Sequence, residues 1–365
     1  MQSFYNPLLS YEENYRFGPF GYFLSSKLFP STKHKTSFFG YSLDVPFGIA
    51  SGPLLNSRFV KAAWKNGFSL ATYKTVRSRD VDAHPYPNIV RIDPTNDLKV
   101  IPNETVYGSL DLTTFNIERD GITNSFGVPS KASSEWQEDV RSCTATMEKG
   151  NVLIVSFMGT KNEQTKREEL IEDYARACRF TAESGAPILE VNVSCPNIGK
   201  GGMICHDVKT MNDISESLHT MKKNRPLLVK LGYFHISLQD ALEKILESIH
   251  RFADGVVAIN TIQARVINYR GKQELTGDAL RLVSGICGAP IRWAGLEMAE
   301  RIVAYKKKKG WHDFVVVGVG GVVSVDDYWE YMKRGVDAVQ SATGAMWKPD
   351  LVNEIRTSVS KRQRI

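Results

Sequence analysis

The chain has too few cysteines, too widely scattered, to be held together by disulfides or to build a metal cluster. Five occur in 365 residues, at Cys143, Cys178, Cys195, Cys205 and Cys287. Their number is odd and none forms a CxxC pair, which argues against a disulfide framework, a zinc site or an iron–sulfur site and for a reducing compartment. No metal site is expected. Also missing is any apolar run near the ~18 residues that a bilayer-spanning helix needs, and no signal-peptide pattern follows Met1. A cytoplasmic protein is expected. Strong charge bias is lacking too. The formal net charge of +6 suits an anionic ligand but falls short of the basic footprint of a nucleic-acid binder. The run Lys306–Lys309 closes a helix, where cations favour the dipole. Finally, no GxGxxG dinucleotide fingerprint is present. Gly318–Val322 reads GVGGV, comes late in the chain and has no evident acid for a ribose hydroxyl.

What the chain does have is a regular alternation of short apolar runs and amphipathic stretches. Strands are expected at 45–50, 69–76, 152–158, 188–194, 226–231, 255–260, 314–319 and 336–341. Helices are expected near 57–66, 134–149, 163–184, 207–223, 236–253, 294–309, 324–334 and 348–358. Eight strand–helix units with β-branched strands point to an α/β fold, a (β/α)8 TIM barrel with parallel strands; a doubly wound open sheet is the second choice. Residues 1–44 form an N-terminal extension carrying the aromatic-rich FGPFGYFLSSKLF, expected to pack against the barrel domain at 45–365. Two long insertions follow strands 2 and 6, at 77–133 and 261–293. Loops after strands lie on the catalytic face of such a barrel.

The strand ends carry the polar residues. The stretch ILEVNVSCPNIGKGG, from Ile188, turns from an apolar run to Asn192, Ser194, Cys195 and Asn197 and then to glycines at 199, 201 and 202, a loop able to close over substrate. A lone strand-end asparagine usually caps a turn and a lone lysine usually reaches solvent. Two lysines within apolar strands are different. Lys74 (TYKTV) and Lys230 (LLVKLG) need an anionic or strongly polar partner if buried. GVGGV after strand 7 and SATGA after strand 8 are rich in backbone N–H groups, where barrels often hold phosphate. Without a dinucleotide fingerprint they suit a mononucleotide such as FMN. Lys230 would then stabilise negative charge on the reduced flavin.

NVSCPN (Asn192–Asn197), TNSFGVPS (Thr123–Ser130), VKLG, AINT, GVGGV and SATG, in this order, resemble the dihydroorotate dehydrogenase family over about residues 45–355. The resemblance implies an FMN-containing barrel that oxidises dihydroorotate to orotate in pyrimidine biosynthesis. It implies that Cys195 removes the C5 proton while hydride leaves C6, cysteine here being the mark of the class 1 enzymes. Asn124, Asn192, Asn197, Asn260 and Thr261 match residues that hold the pyrimidine ring, with Phe126, Gly127 and Val128 beside Asn124. Lys74 matches a lysine near both flavin and substrate carboxylate. Ala50, Ser51, Ser156, Asn192 and Lys230 match flavin contacts, and Gly285, Gly320, Gly321, Ala342 and Thr343 match the phosphate cradle. The other four cysteines take the structural reading, the common fate of a buried thiol.

Some features lean elsewhere. GKGGMICHD, AINTI and SGICGAPIR are similar to dihydropyrimidine dehydrogenase, so reduction of uracil or thymine is the alternative. Asn197 favours orotate, because that family usually has histidine there. An FMN enzyme forming dihydrouridine in RNA is a weaker choice, as no RNA-binding module is evident. A homodimer is expected. The electron acceptor is left open among fumarate, a quinone and a partner subunit.

Overall fold

The computed structural model describes residues 3–25, 35–93, 97–101, 104–161, 164–194 and 203–362. Eight parallel strands close the central barrel: β1 (Phe47–Ile49), β2 (Leu70–Val76), β3 (Val152–Phe157), β4 (Ile188–Asn192), β5 (Leu227–Leu231), β6 (Gly255–Ala258), β7 (Val315–Val319) and β8 (Ala338–Ser341). Every residue of β1 to β6 and β8 is buried. These strands are near-continuous apolar runs because both faces are covered, by helices outside and by side chains within. The expected (β/α)8 barrel is the observed fold, and all eight expected strands overlap the observed ones.

The barrel interior has an apolar lower part and a polar upper part. Leu70, Val152, Ile154, Ile188, Leu228, Val257, Val317 and Ala338 pack together below. An antiparallel hairpin, Thr36–Phe38 with Tyr41–Leu43, adds Phe38 and Leu43 to this cluster. Towards the carboxyl ends of the strands come Thr72, Ser156, Glu190, Lys230 and Gln340, all buried. Side chains alternate across a strand, so Glu190 and Asn192 share a face of β4, and Lys230 pairs in register with Asn192. The β2–β3 register shifts between Tyr73 and Val76. Such an irregularity re-aims side chains, and here the consecutive residues Lys74 and Thr75 both line one pocket.

The two insertions meet. Arg91–Ile92, Thr105–Ser109 and Gly121–Thr123 come from the first, Ile262–Ile267 and Val283–Gly288 from the second, and together they form a closed five-stranded mixed sheet. The sequence pattern marks both stretches as insertions and no strand within them. The strands are short, and Thr105–Ser109 and Ile262–Ile267 alternate buried and exposed positions. Their period-2 pattern is diluted by charged and polar residues on the outer face.

Residues 3–25 pack on the barrel. Phe4 stacks on Phe23 with centroids 4.1 Å apart and meets Phe59 edge-on at 6.3 Å, while Phe23 meets Phe68. The helix Tyr11–Phe17 starts in a capping box between Ser10 and Glu13, which satisfies amides that the first turn would otherwise leave open.

Candidate active site

One pocket opens at the carboxyl ends of the barrel strands. Its wall draws on residues from Tyr5 to Met346, with the ends of several barrel strands converging on it, the usual place for a cofactor in such a fold. Lys74 and Lys230 line it and are 7% and 4% exposed. None of its lining residues is acidic. Two ammonium groups beside a wall without acids favour an anionic ligand.

Amides are gathered beside the lysines. Asn260 Nδ2 donates to Asn192 Oδ1 (3.3 Å), to the Ser194 carbonyl (3.1 Å) and to Ser194 Oγ (3.2 Å). Asn192 Oδ1 also accepts from the Ser194 amide at 3.1 Å. Ser194 Oγ donates to the Lys230 carbonyl at 3.0 Å, and the Thr261 amide donates to Asn260 Oδ1 at 2.9 Å. The ends of β4, β5 and β6 are thus tied into one network. Each amide is held in one orientation before any ligand arrives, which lowers the ordering cost of binding. Cys195 and Asn197 lie outside the described residues.

Glycines and small residues shape the opposite side. Ala50, Ser51, Gly320, Gly321, Ala342 and Thr343 all line the pocket. Gly321 has φ +66°, and a Cβ there would lie 2.5 Å from Arg292 Cβ; one on Gly344 would lie 2.1 Å from the Val322 carbonyl. Among the described residues, no acceptor takes up the backbone amides of Gly321, Val322, Thr343 and Gly344. Open N–H groups in a concave backbone make a seat for an anion.

The five-stranded sheet closes the pocket from above with Asn124, Phe126, Val128 and Cys287. The Asn124 amide donates to the Gly285 carbonyl at 2.9 Å. Gly285 therefore stands behind the wall, and Gly288 is the lining glycine of that strand. Gly127 is also outside the lining: its φ is +73° and a Cβ would meet the His84 ring at 2.5 Å. Val128 has φ +53°, unusual for a β-branched residue. Arg77 holds both in place, Nε donating to the Val128 carbonyl at 2.9 Å and Nη2 to the Gly127 carbonyl at 3.0 Å. Ser156 sits under the pocket, bonded to Thr75 Oγ1 at 3.0 Å, which in turn lies 2.8 Å from Ser51 Oγ.

Several lining residues had no signal in the sequence. Tyr5 and Tyr11 of the N-terminal extension pack edge-on against Phe126 with centroids 6.1 Å away. The extension therefore reaches the pocket side of the barrel. Cys287, expected from the sequence to be structural, lines the pocket. Its thiol donates to the Ile122 carbonyl at 3.4 Å, and burial pushes it up to about 11, so it stays protonated near neutrality.

Barrel, pocket and cationic lining define a (β/α)8-barrel enzyme with its site at the strand carboxyl ends. A family model described as dihydroorotate dehydrogenase matches residues 96–362. The chain is 34% identical over 359 residues to the dihydroorotate dehydrogenase of Dictyostelium discoideum, covering 93% of each chain. It is 25% identical over 316 residues to the dihydroorotate dehydrogenase B (NAD(+)) catalytic subunit of Methanocaldococcus jannaschii, covering 86% of this chain and 88% of that one. It is 26% identical over 315 residues to the dihydroorotate dehydrogenase (quinone) of Thermus thermophilus, covering 85% and 77%. The chain belongs to the dihydroorotate dehydrogenase family, whose members are flavin-dependent oxidoreductases.

Proposed function

We propose that this protein oxidises dihydroorotate to orotate in pyrimidine biosynthesis, with FMN as its flavin. The observation that carries the reading is a single pocket with two buried lysines, no acid, a fixed amide network at one end and open backbone N–H groups at the other. Two anions fit such a pocket: a phosphate at Gly320, Gly321, Ala342 and Thr343, and a small carboxylate near Lys74. At Gly321 and Gly344 a Cβ would collide with Arg292 and the Val322 carbonyl, so glycine lets the two segments pack closely with their amides towards the pocket.

Bound FMN would supply the hydride acceptor. Lys230, which lines the pocket with Ser156 buried below it, would offset negative charge gathered on the flavin. Lys74 meets the substrate carboxylate, and Asn124, Asn192, Asn260 and Thr261 present donors and acceptors to a flat, amide-rich ring. Cys195, at the class 1 position, takes the C5 proton, and Asn197 joins the ring contacts; both assignments rest on the NVSCPN motif. Arg77 fixes the turn at Gly127 and Val128 that borders the ring.

Residues 1–44 are an extension of the barrel domain at 45–365 that completes the pocket wall through Tyr5 and Tyr11. Two copies pair, in this reading, through the outer face of the five-stranded sheet. There Tyr107 and Tyr269 stack at 5.2 Å with 45% and 70% of their surfaces exposed. The four described cysteines are free and no described helix is long and apolar enough to cross a membrane, which supports the cytosol. Relatives are named for NAD(+), quinone and fumarate, so the acceptor is to be found by assay among these. Mass spectrometry of the released cofactor tests FMN, and FAD would contradict it. Anaerobic addition of dihydroorotate and of dihydrouracil tests the substrate.

A further inference from the structure

Glu190 is the one acid in the eight barrel strands, whose other titratable residues are Tyr73, Lys74 and Lys230. It is 0% exposed, and neither of its carboxyl oxygens has a hydrogen-bond partner. The groups around it supply little. Lys230 on β5 bears on it electrostatically, but no salt bridge joins them among the described residues. Ser156 on β3 faces the carboxyl and is the one hydroxyl that bears on it; it is also bonded to Thr75, which is bonded to Ser51, with either oxygen of each pair able to donate. Lys74 on β2 lines the pocket above, and Tyr73 is turned away, donating to Asp139 at 2.7 Å. The remaining strands, β1, β6, β7 and β8, bring no titratable group. Gln340 on β8 leaves its Oε1 without a donor as well.

The barrel interior is therefore short of donors. An ionised carboxylate so buried, with neither oxygen in a well-formed hydrogen bond, keeps most of its desolvation cost, whereas a neutral acid needs less from its surroundings and adds one donor to an interior where Gln340 Oε1 has none. We propose that Glu190 is a neutral carboxylic acid in the working protein, a positioning residue that leaves the charge of Lys230 undivided for the pocket above it. Burial raises its pKa, and Lys230 followed by Ser156 lowers it less, in keeping with that geometry. With Glu190 ionised, Lys230 would be largely neutralised from below, and the pocket would lose half of its buried positive charge. The inference rests on the flavin reading for its consequence, though Glu190's protonation is measurable without it.

Two measurements on the purified holoprotein test it. Infrared spectra of the wild type at about pH 7 should contain the carbonyl stretch of a protonated carboxylic acid, and Glu190→Gln should lack it. The flavin midpoint potential of Glu190→Gln should equal that of the wild type at the same pH, because a neutral amide replaces a neutral acid. A missing acid band overturns the proposal, as does a variant potential clearly above the wild type, the result of removing a standing negative charge. Should Glu190→Gln not accumulate, the wild-type band decides alone. A protein that shows the band but holds no flavin would refute the functional reading and leave the protonation state standing.

Discussion

The parallel barrel and the five-stranded sheet both wall the same pocket, yet they contribute different chemistry. From the barrel come the two buried lysines, the Asn192–Asn260 network and the open amides at Gly321 and Thr343. From the inserted sheet and its flanks come Asn124, Phe126, Val128 and Cys287, none of them charged. The barrel side is rigid because its strands are buried on both faces and tied by parallel ladders. The inserted side rests on strands of two to six residues and on a turn that Arg77 holds. A division of labour follows. Charge handling belongs to the barrel, while the ring is met from both sides, so substitutions at Lys230 and the glycine cradle should act on reduction rate or flavin retention and insert substitutions on substrate affinity.

The largest expected effect is at the candidate base. Cys195→Ala should keep the fold and the yellow colour while stopped-flow reduction by dihydroorotate falls by on the order of 10²–10⁴, the usual worth of a positioned base. An unchanged rate would leave the NVSCPN loop as a structural turn. Lys230→Met should slow flavin reduction by on the order of 10², the scale seen when one preorganised electrostatic group is removed, with a smaller effect on orotate affinity. If affinity suffers more than rate, the charge serves the substrate, and the division fails at that residue.

On the insert side, Asn124→Ala should weaken orotate binding by roughly 10-fold to 100-fold, the cost of leaving a buried ligand group unpaired, with the reduction rate at saturation little changed. Spectral titration of the bound flavin reads the affinity. Gly321→Ala tests the cradle directly. Its φ of +66° and a Cβ 2.5 Å from Arg292 should cost about 1–3 kcal/mol, seen as a lowered melting temperature and flavin lost on dialysis. The smallest effect is expected at Cys287→Ala. A thiol pushed up to about 11 is protonated throughout the range from about pH 6 to about pH 9. The rate–pH profile should therefore match the wild type there. A lost limb in that range would mean that Cys287 titrates in the reaction.

The same contrast explains what the sequence revealed. The barrel was legible because strands such as Val152–Phe157 and Leu227–Leu231 are runs that only double burial explains. A lysine inside such a run, as at Lys230, is conspicuous. The insert was not legible. Arg91–Ile92 is too short to show a period, and Gly121–Thr123 pairs with residues far along the chain. Tyr5 and Tyr11 reach the pocket through tertiary packing alone, and nothing in their neighbours announces it. Gly285 and Gly288 show the limit of motif matching: both lie in one strand, and only the fold decides which faces the pocket. Arg77 was missed because its role is to hold two backbone carbonyls, which leaves no mark in the pattern of residue types.

The central claim is that this pocket oxidises dihydroorotate on a bound flavin, and the most direct test is one anaerobic mixing experiment. The purified yellow protein, freed of oxygen, is mixed with dihydroorotate and its visible absorbance is followed; dihydrouracil is added to a second sample. Dihydroorotate should bleach the flavin with one orotate formed per flavin, and dihydrouracil, which has no carboxylate for Lys74, should leave it oxidised. Bleaching by dihydrouracil and not by dihydroorotate would contradict the account.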